Sequence, residues 1–115
     1  MQAEYTLSPL STKGPVAVIE VGGRLDALAA QELRKRCLEA RQLGHQHLLL
    51  DLGQVSFIAS SGIGALLAMT EEFGKIGGLY LAPISPAVRS VIQLLNLAPY
   101  LAIYESREAA LAPIG

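Results

Sequence analysis

The sequence predicts an α/β fold, with a mixed sheet of about four to five strands and about four helices, and two observations support this. First, residues 48–52 are apolar except for Asp51, as is typical of a strand covered on both faces in a parallel or mixed sheet. Second, strand-like and helix-like segments alternate along most of the chain. With 115 residues, 51% of them hydrophobic, residues 1–115 can form a single domain around one core.

The first two strands are predicted before residue 22. Tyr5 and Leu7, with Ala3 as a further candidate, alternate with polar neighbours, as in a half-exposed strand. The Ser, Thr, Lys, Gly and Pro of residues 11–15 form a turn signal. The β-branched residues of 16–21 then predict a second strand, so we expect a hairpin.

A long helix is predicted to follow these strands. Gly22 and Gly23 are expected to end the second strand, because glycine is depleted in strands. Asp26 is a good N-cap for a helix at about 27–43. Gly44 is predicted to close that helix as a C-cap.

The rest of the chain predicts further strands and helices in alternation. Right-handed crossovers between these strands would give a mixed sheet with helices packed on it and the third strand at its centre. The predicted elements are a strand at about 47–52, a helix at about 61–73, a strand at about 79–82, a helix begun by Ser85 and Pro86, a strand near 101–104 and a short helix capped by Ser106.

Composition and charge narrow the class of protein. A net charge of -1 provides no general positive potential that would attract nucleic acid. The densest basic cluster, Arg34, Lys35 and Arg36, is interpreted as the wet face of a helix. Cys37 is the only cysteine, so it suits a small core position. The weakly polar stretch 57–69 is shorter than the ~20 residues of a membrane helix. We therefore expect a cytoplasmic protein without direct membrane insertion.

The serine pair Ser60 and Ser61 lies where the second helix is predicted to begin. Serine is among the best N-cap residues, so capping alone would explain one of the two. The sequence Gly62-Ile63-Gly64 follows directly, and its glycines would leave a serine hydroxyl little shielded. A kinase could reach such a hydroxyl, and a phosphoryl group there would add about -1.5 to -2 charges beside the positive end of the helix.

Asp51 has a second interpretation. Response-regulator receiver domains carry a phospho-accepting aspartate at the end of the third strand, but that chemistry needs Mg²⁺ held by an acidic pair. Residues 22–24, after the earlier strand, are Gly, Gly and Arg. We therefore interpret Asp51 as an acceptor for backbone N–H groups of the residues that follow it. His45 and His47 have no Cys or acidic cluster nearby, so no metal site is predicted.

Two other classes of function follow from the residues at the second helix. The glycines Gly62 and Gly64 resemble a fragment of a phosphate-binding loop, although no Gly-Lys-Ser/Thr follows them. A nucleotide-binding sensor is therefore one alternative. No Ser-His-Asp or Cys-His arrangement can be assembled on the expected connections, so neither an enzyme nor a bound cofactor is expected.

Two motifs give the chain a family resemblance. The apolar strand is followed by Asp51-Leu52, a Val-x-Phe at 55–57 and Ser-Ser-Gly-x-Gly at 60–64, and Gly-Arg-Leu-Asp stands earlier at 23–26. This pattern resembles STAS domains, specifically bacterial anti-sigma factor antagonists, over nearly the whole chain. One position departs from the family, because the acidic residue before the serine pair is Ala59 here.

The resemblance implies a STAS fold and a role in a partner-switching circuit. It maps the phosphorylated serine to Ser61, with Ser60 as the fallback, and implies an anti-sigma factor with serine kinase activity as partner. It also allows a homodimer. A carboxylate at position 59 could orient the hydroxyl or contact the kinase, and Ala59 can do neither. The contact surface expected from the resemblance is Asp26, Ser60, Ser61, Gly62 and Ile63.

A second function within the same family stays open. Some STAS subunits bind a membrane transporter's ATPase, and there the serine would serve only as a cap and a contact residue. The alanine at position 59 favours this alternative. Genomic neighbours would separate the two, because one function requires a kinase and a sigma factor and the other a transporter operon.

Overall fold

The structure, a computed structural model, describes residues 4–114 and confirms the α/β class. Within those residues a mixed sheet has six strands, one more than the upper expectation, and four α-helices as predicted. The strands are β1 (Tyr5–Leu7), β2 (Ser11–Lys13), β3 (Val16–Leu25), β4 (His47–Ile58), β5 (Gly78–Ile84) and β6 (Ala102–Ile103). The helices are α1 (Ala27–Gln42), α2 (Ser60–Gly74), α3 (Pro86–Leu94) and α4 (Arg107–Leu111), with a 3₁₀ turn at Ala98–Tyr100.

The strand order is β1-β3-β4-β5-β6, and β2 pairs with a different part of β3 from β1. Strands β1 and β2 run antiparallel to β3, whereas β3, β4, β5 and β6 are parallel. The strand predicted to be central, β4, lies in the middle of this order. The predicted Ala3 falls outside the described residues, and no helix within 4–114 is both long enough and apolar enough to cross a membrane.

The apolar run of β4 packs on both sides of the sheet, as its sequence predicted. Leu48, Leu50 and Leu52 belong to the larger core, to which α1, α2 and α3 contribute buried residues. Leu49 faces the opposite side and packs in a smaller cluster with Ala110 of α4. All four leucines are fully buried, so three helices cover one face of the sheet and α4 covers the other.

The second predicted strand is longer than its glycines suggested. Strand β3 continues through Gly22 and Gly23 to Leu25, and its pairing with β4 shifts register before and after this glycine pair. Gly23 has φ +76°, and a Cβ there would lie 2.2 Å from the carbonyl oxygen of Glu4. The glycines therefore allow β1 to approach β3 closely at a bulge. The expectation that they end the strand is wrong.

The turn predicted at residues 11–15 is shorter than expected. Ser11–Lys13 forms β2, paired antiparallel with Val16–Val18 of β3 in register Ser11 to Val18. Only Gly14, at φ +60°, and Pro15 make the turn. The tight hairpin is thus β2-β3, and β1 pairs further along the same strand.

Strand β4 also extends beyond its predicted end at Leu52. It continues to Ile58 because the C-terminal part of β3 supplies backbone partners, with Arg24 beside Phe57 and Leu25 beside Ile58. Along this part Val55 and Ile58 are buried while Phe57 is exposed. A single residue, Ala59, therefore separates β4 from α2.

Local predictions at helix ends and in the core are confirmed. Asp26, Ser85 and Ser106 each cap a helix by accepting a hydrogen bond from the backbone N–H three residues later. The C-cap of α1 is Leu43, one residue before the predicted Gly44, which follows it with φ +92°. Cys37 is fully buried in the core, and desolvation raises the pKa of its thiol to about 12.

Asp51 has the structural role predicted for it, with an added partner. Its Oδ1 accepts a hydrogen bond of 3.0 Å from the backbone N–H of Gly53. Its Oδ2 accepts from Arg107 of α4, with Nη2 at 2.8 Å, and the same guanidinium lies 3.4 Å from Glu20 on the neighbouring strand. One arginine therefore joins α4 to both β3 and β4, and the Asp51 carboxylate is fully engaged.

Candidate functional site

Helix α2 begins without a side-chain cap. Its N-cap residue is Ala59, in an extended conformation (φ −85°, ψ 168°), and no side chain bonds the first turn there. Ser60 and Ser61 are already the first two helical residues. The interpretation of either serine as the cap is therefore wrong. The reason is the length of β4, which runs to Ile58 and moves the capping position one residue earlier than the serine pair.

Both serines are exposed to solvent, as predicted for Ser61. Within residues 4–114 their hydroxyls make no hydrogen bond to another side chain or to the backbone. A Cβ added at Gly64 would meet no atom within 4 Å. The second glycine therefore leaves space beside Ser61, one helical turn away, and the Ser61 hydroxyl is free to meet another molecule.

Gly62 and Ile63 lie under the site and not on its surface. A Cβ on Gly62 would come within 2.7 Å of the Leu25 carbonyl oxygen and 2.9 Å of Ile58 Cγ1, and Ile63 is 6% exposed. In the free protein these two residues hold α2 against β3 and β4 and do not offer side chains to a partner. Of the five residues expected at the contact surface, Ser60 and Ser61 are exposed and Asp26 is half-buried.

Asp26 lies beside the serine site through the backbone of Leu25. The Asp26 carboxylate is half-buried and caps α1, with Oδ1 accepting from the Ala29 N–H at 3.1 Å. The preceding carbonyl, that of Leu25, accepts from the Ala59 N–H at 3.0 Å. The beginnings of α1 and α2 therefore share one backbone junction, and both open on the same edge of the sheet.

An open groove of about 380 Å³ runs between α1 and α2 and reaches Ser61. Small side chains form much of its floor, while an amide and a guanidinium stand at its α1 side. We call this the α1/α2 groove; it is lined by Ala27, Ala30, Gln31 and Arg34 from α1 and by Ser61 and Gly64 from α2. The residues of α1 recur at a spacing of three and four, so a helical projection could have grouped them. The facing part of α2 could not be found in that way.

The three residues of the basic cluster of α1 make different contacts. Lys35 pairs with Glu32, with Nζ to Oε1 at 3.5 Å. Arg36 turns the other way and donates to the backbone carbonyl of Ser8. Arg34 lines the α1/α2 groove, and it has no ion pair within residues 4–114. Arg34 and Lys35 are exposed, as predicted for a wet helix face, whereas Arg36 is half-buried, because the three side chains diverge around the helix.

A second exposed group, missed by the sequence reasoning, stands at the same end of the sheet. The Arg24 guanidinium carbon lies 4.1 Å from the centroid of the Phe57 ring, and Arg24 also pairs with Glu4 at 3.2 Å. Phe57 keeps 39% of its surface exposed. Arg24 and Phe57 are register partners in β3 and β4, and the Val-x-Phe alternation before the serines is the signal that could have placed the ring.

One of the two histidines, His47, makes a local side-chain contact. His47 Nδ1 lies 2.9 Å from the hydroxyl of Tyr80, and the two rings stack with centroids 6.0 Å apart. Within residues 4–114 no group of three His, Cys, Asp or Glu side chains is arranged to hold a metal ion.

Comparison with known proteins places the chain among a defined group. The model of the STAS domain family matches residues 9–110. An anti-sigma F factor antagonist of Paenibacillus polymyxa is 26% identical over 101 residues, which cover 86% of each chain.

Solved structures agree with this match. The crystal structure of an anti-sigma factor antagonist from Mycobacterium paratuberculosis superimposes with a TM-score of 0.85 at 27% identity, covering 96% of this chain and 93% of that one. The anti-sigma factor antagonist SpoIIAA superimposes in its unphosphorylated form with a TM-score of 0.73 at 26% identity, covering 96% of each chain. The phosphorylated form of the Bacillus cell fate determinant SpoIIAA gives a TM-score of 0.69 at 26% identity, covering 96% of this chain and 99% of that one. The resemblance stated from the motifs is thereby confirmed.

Proposed function

Because this chain belongs to the STAS domain family, we propose that it is an anti-sigma factor antagonist, a binding protein and not an enzyme. In its unphosphorylated form it docks on an anti-sigma factor through the start of α2 and the α1/α2 groove. The anti-sigma factor carries serine kinase activity, and phosphorylation of Ser61 ends the docking. Relatives and solved neighbours with the same named role support the proposal.

The observation that carries this proposal is the exposed, unbonded hydroxyl of Ser61 in the first turn of α2. A serine that caps a helix has its oxygen occupied by a backbone N–H. Ser61 has no such duty, so its oxygen is available to a kinase. A solved phosphorylated form exists for one structural neighbour, SpoIIAA, which supports modification as the means of regulation.

The chemistry at Ser61 is a phosphoryl transfer. Its Oγ forms a bond to the γ-phosphorus of ATP, the bond from that phosphorus to the bridging oxygen of ADP breaks, and the hydroxyl proton is released. The product carries about -1.5 to -2 charges. The N-terminal N–H groups of α2 tolerate this charge because the helix end is electropositive. A partner docked over the same turn would have to bury it.

Calorimetry with the cognate anti-sigma factor tests the docking surface. We expect Ser61→Asp to weaken binding by about 10³-fold, because a buried, unpaired charge at an interface costs several kcal/mol. Ser61→Ala should bind like the wild type. Ser90→Asp is the matched control, since Ser90 is an exposed serine on α3. Equal binding by Ser61→Asp and Ser61→Ala would contradict the proposal.

Mass spectrometry after incubation with the kinase and ATP tests the site of modification. We expect one added phosphoryl group at Ser61, abolished in Ser61→Ala and kept in Ser60→Ala. The reverse pattern would move the site to Ser60. No modification of any variant, together with stable binding to a transporter ATPase, would favour the other function known within the family.

A further inference from the structure

Arg34 stands out among the basic residues of α1. Its neighbours are both engaged, Lys35 with Glu32 and Arg36 with the carbonyl of Ser8. Arg34 is exposed, makes no ion pair within residues 4–114 and lines the α1/α2 groove with Ser61. The described structure therefore places one uncommitted guanidinium and one uncommitted hydroxyl on the two walls of the same groove.

We propose that Arg34 is the intramolecular counter-ion of a phosphoryl group on Ser61, with the Gln31 amide as a second donor beside it. The inference rests on the proposed modification of Ser61 and adds to it a residue that would bind the phosphoryl group. In the unmodified protein Arg34 is free to meet a partner. In the modified protein Arg34 is occupied by the phosphoryl group of its own chain.

The small residues that line the groove favour this contact. Helices that pack through small side chains lie at the near end of the usual axial separation of about 8–10 Å, and here the lining includes Ala27, Ala30 and Gly64. A long arginine side chain can cross such a gap without moving the helix. The groove is open and polar at its α1 side, so the guanidinium can reorient on a local rotamer change.

The chemistry favours arginine at this position. A guanidinium has a planar fork of N–H donors that matches two phosphate oxygens, and such charge-assisted pairs are stronger than neutral hydrogen bonds. Gln31, one turn earlier on α1, offers an amide N–H₂ at the same wall. The carboxylate of Asp26, at the junction of the two helices, is held by the Ala29 N–H at the start of α1. This carboxylate repels a phosphoryl group on Ser61, so a cation across the groove would stabilise the modified state.

The test uses phosphoserine installed at position 61 during translation, so that no kinase is needed. Titration followed by ³¹P NMR measures the second pKa of the phosphoserine, which is about 6 without a partner. A nearby cation favours the dianion, so Arg34→Gln should raise this pKa by about half a unit in an open groove where solvent screens the pair. Lys35→Gln, on the same helix and already paired with Glu32, is the matched control and should leave it unchanged. Arg34→Lys should give an intermediate value.

A second readout follows removal of the phosphoryl group by a broad-specificity phosphatase. The guanidinium shields the phosphate oxygens, so we expect dephosphorylation of Arg34→Gln to be several-fold faster than that of Lys35→Gln. Equal pKa values and equal rates in these two variants would overturn the role of Arg34 while leaving Ser61 as the site. Failure of the kinase to modify the wild-type chain would instead count against the proposed function, whatever the titration shows.

Discussion

The two helices that begin at the candidate site are held in opposite ways. Helix α1 starts with Asp26, whose carboxylate bonds the Ala29 N–H at 3.1 Å. Helix α2, which follows the neighbouring strand β4, starts with Ala59, whose side chain cannot accept a hydrogen bond from the first turn. Three of the four helices in the described chain have side-chain caps, and α2 is the exception.

This difference shows how α2 is fixed without a cap. Its start is held by the backbone bond from Ala59 to the Leu25 carbonyl, 3.0 Å long, and by the close packing of Gly62 on the same carbonyl. The first helix is thus secured by a polar side chain and the second by steric fit. The serines of α2 are left free of structural duty as a result.

The largest effect should come from disturbing this steric fit. Gly62→Ala would place a Cβ 2.7 Å from a backbone oxygen. Overpacking of this kind costs ~1–3 kcal/mol, which the better helix propensity of alanine offsets by up to ~1 kcal/mol. We therefore expect the free energy of unfolding, measured in urea, to fall by up to about 2 kcal/mol.

Gly64→Ala is the matched control for this change. It is the same substitution two residues later in the same helix, and a Cβ there meets no atom within 4 Å. We expect a gain of up to about 1 kcal/mol, since alanine favours a helix over glycine. If both variants changed the free energy of unfolding equally, steric fit at Gly62 would not be what holds α2.

Removing the cap of α1 should have the next largest effect. Asp26→Ala deletes the acceptor of the Ala29 N–H and should cost about 1 kcal/mol of unfolding free energy. Asp26→Asn keeps an acceptor of similar capping strength without the charge, so its stability should match the wild type. A loss of partner binding in Asp26→Asn, at unchanged stability, would identify the charge itself as a contact.

Adding a side-chain cap to α2 should stabilise the start of this helix as Asp26 stabilises the start of α1. Ala59→Asp places a carboxylate where it can accept from the N–H groups of the first turn, and we expect a gain of about 1 kcal/mol in thermal or urea unfolding. Ala59→Ser should give a gain of the same order. No gain from either variant would show that the first-turn N–H groups are already satisfied by solvent.

The same two variants separate capping from charge in the kinase reaction. We expect Ala59→Asp to be phosphorylated faster than the wild type, because a carboxylate beside the serines can contact the kinase or orient a hydroxyl. Ala59→Ser caps without charge, so it reports whether order in the first turn is enough. Equal rates in all three proteins would show that the missing acid is irrelevant to modification.

The smallest effect expected is on stability at Ser61. Ser61→Asp should raise the free energy of unfolding by ~0.3–1 kcal/mol, because an acidic residue in the first turn favours the helix dipole. Ser61→Ala should change it by less than about 0.5 kcal/mol, as the hydroxyl holds no bond in the described structure. The acidic variant is then more stable but binds its partner less well, so weak binding could not be ascribed to unfolding. A destabilised Ser61→Asp would contradict this.

The features that the sequence predicted correctly are those fixed by near neighbours. The caps Asp26, Ser85 and Ser106 accept from N–H groups three residues away. The burial of β4 on both faces could be predicted from its own run of apolar residues. Strand ends depended on distant partners. Gly22 and Gly23 are typical of a strand end, but here they allow the backbone of Glu4 to lie close to β3. Strand β4 continues past Leu52 because β3 continues beside it.

In the candidate site, too, the features set by near neighbours could be predicted from the sequence and those set by distant partners could not. The exposure of Ser61 and the place of the serines at the start of a helix followed from residues 57–64 and from the family resemblance. Their exact helical positions did not, because these depend on where β4 ends. The α1/α2 groove needs the mutual packing of two helices whose groove-lining residues, such as Arg34 and Ser61, lie far apart in the sequence. For that reason Arg34 could be seen only as one of three adjacent basic residues.

The single-residue connection between β4 and α2 has a consequence for the kinetics of recognition. Ala59 leaves no loop that a partner would have to order, so docking at this edge would cost little conformational entropy. Association would then be limited by orientation and diffusion, at the ordinary rates of about 10⁵–10⁷ M⁻¹s⁻¹ for preformed surfaces. Differences in affinity between chemical states of the first turn of α2 would appear mainly in how long the complex persists.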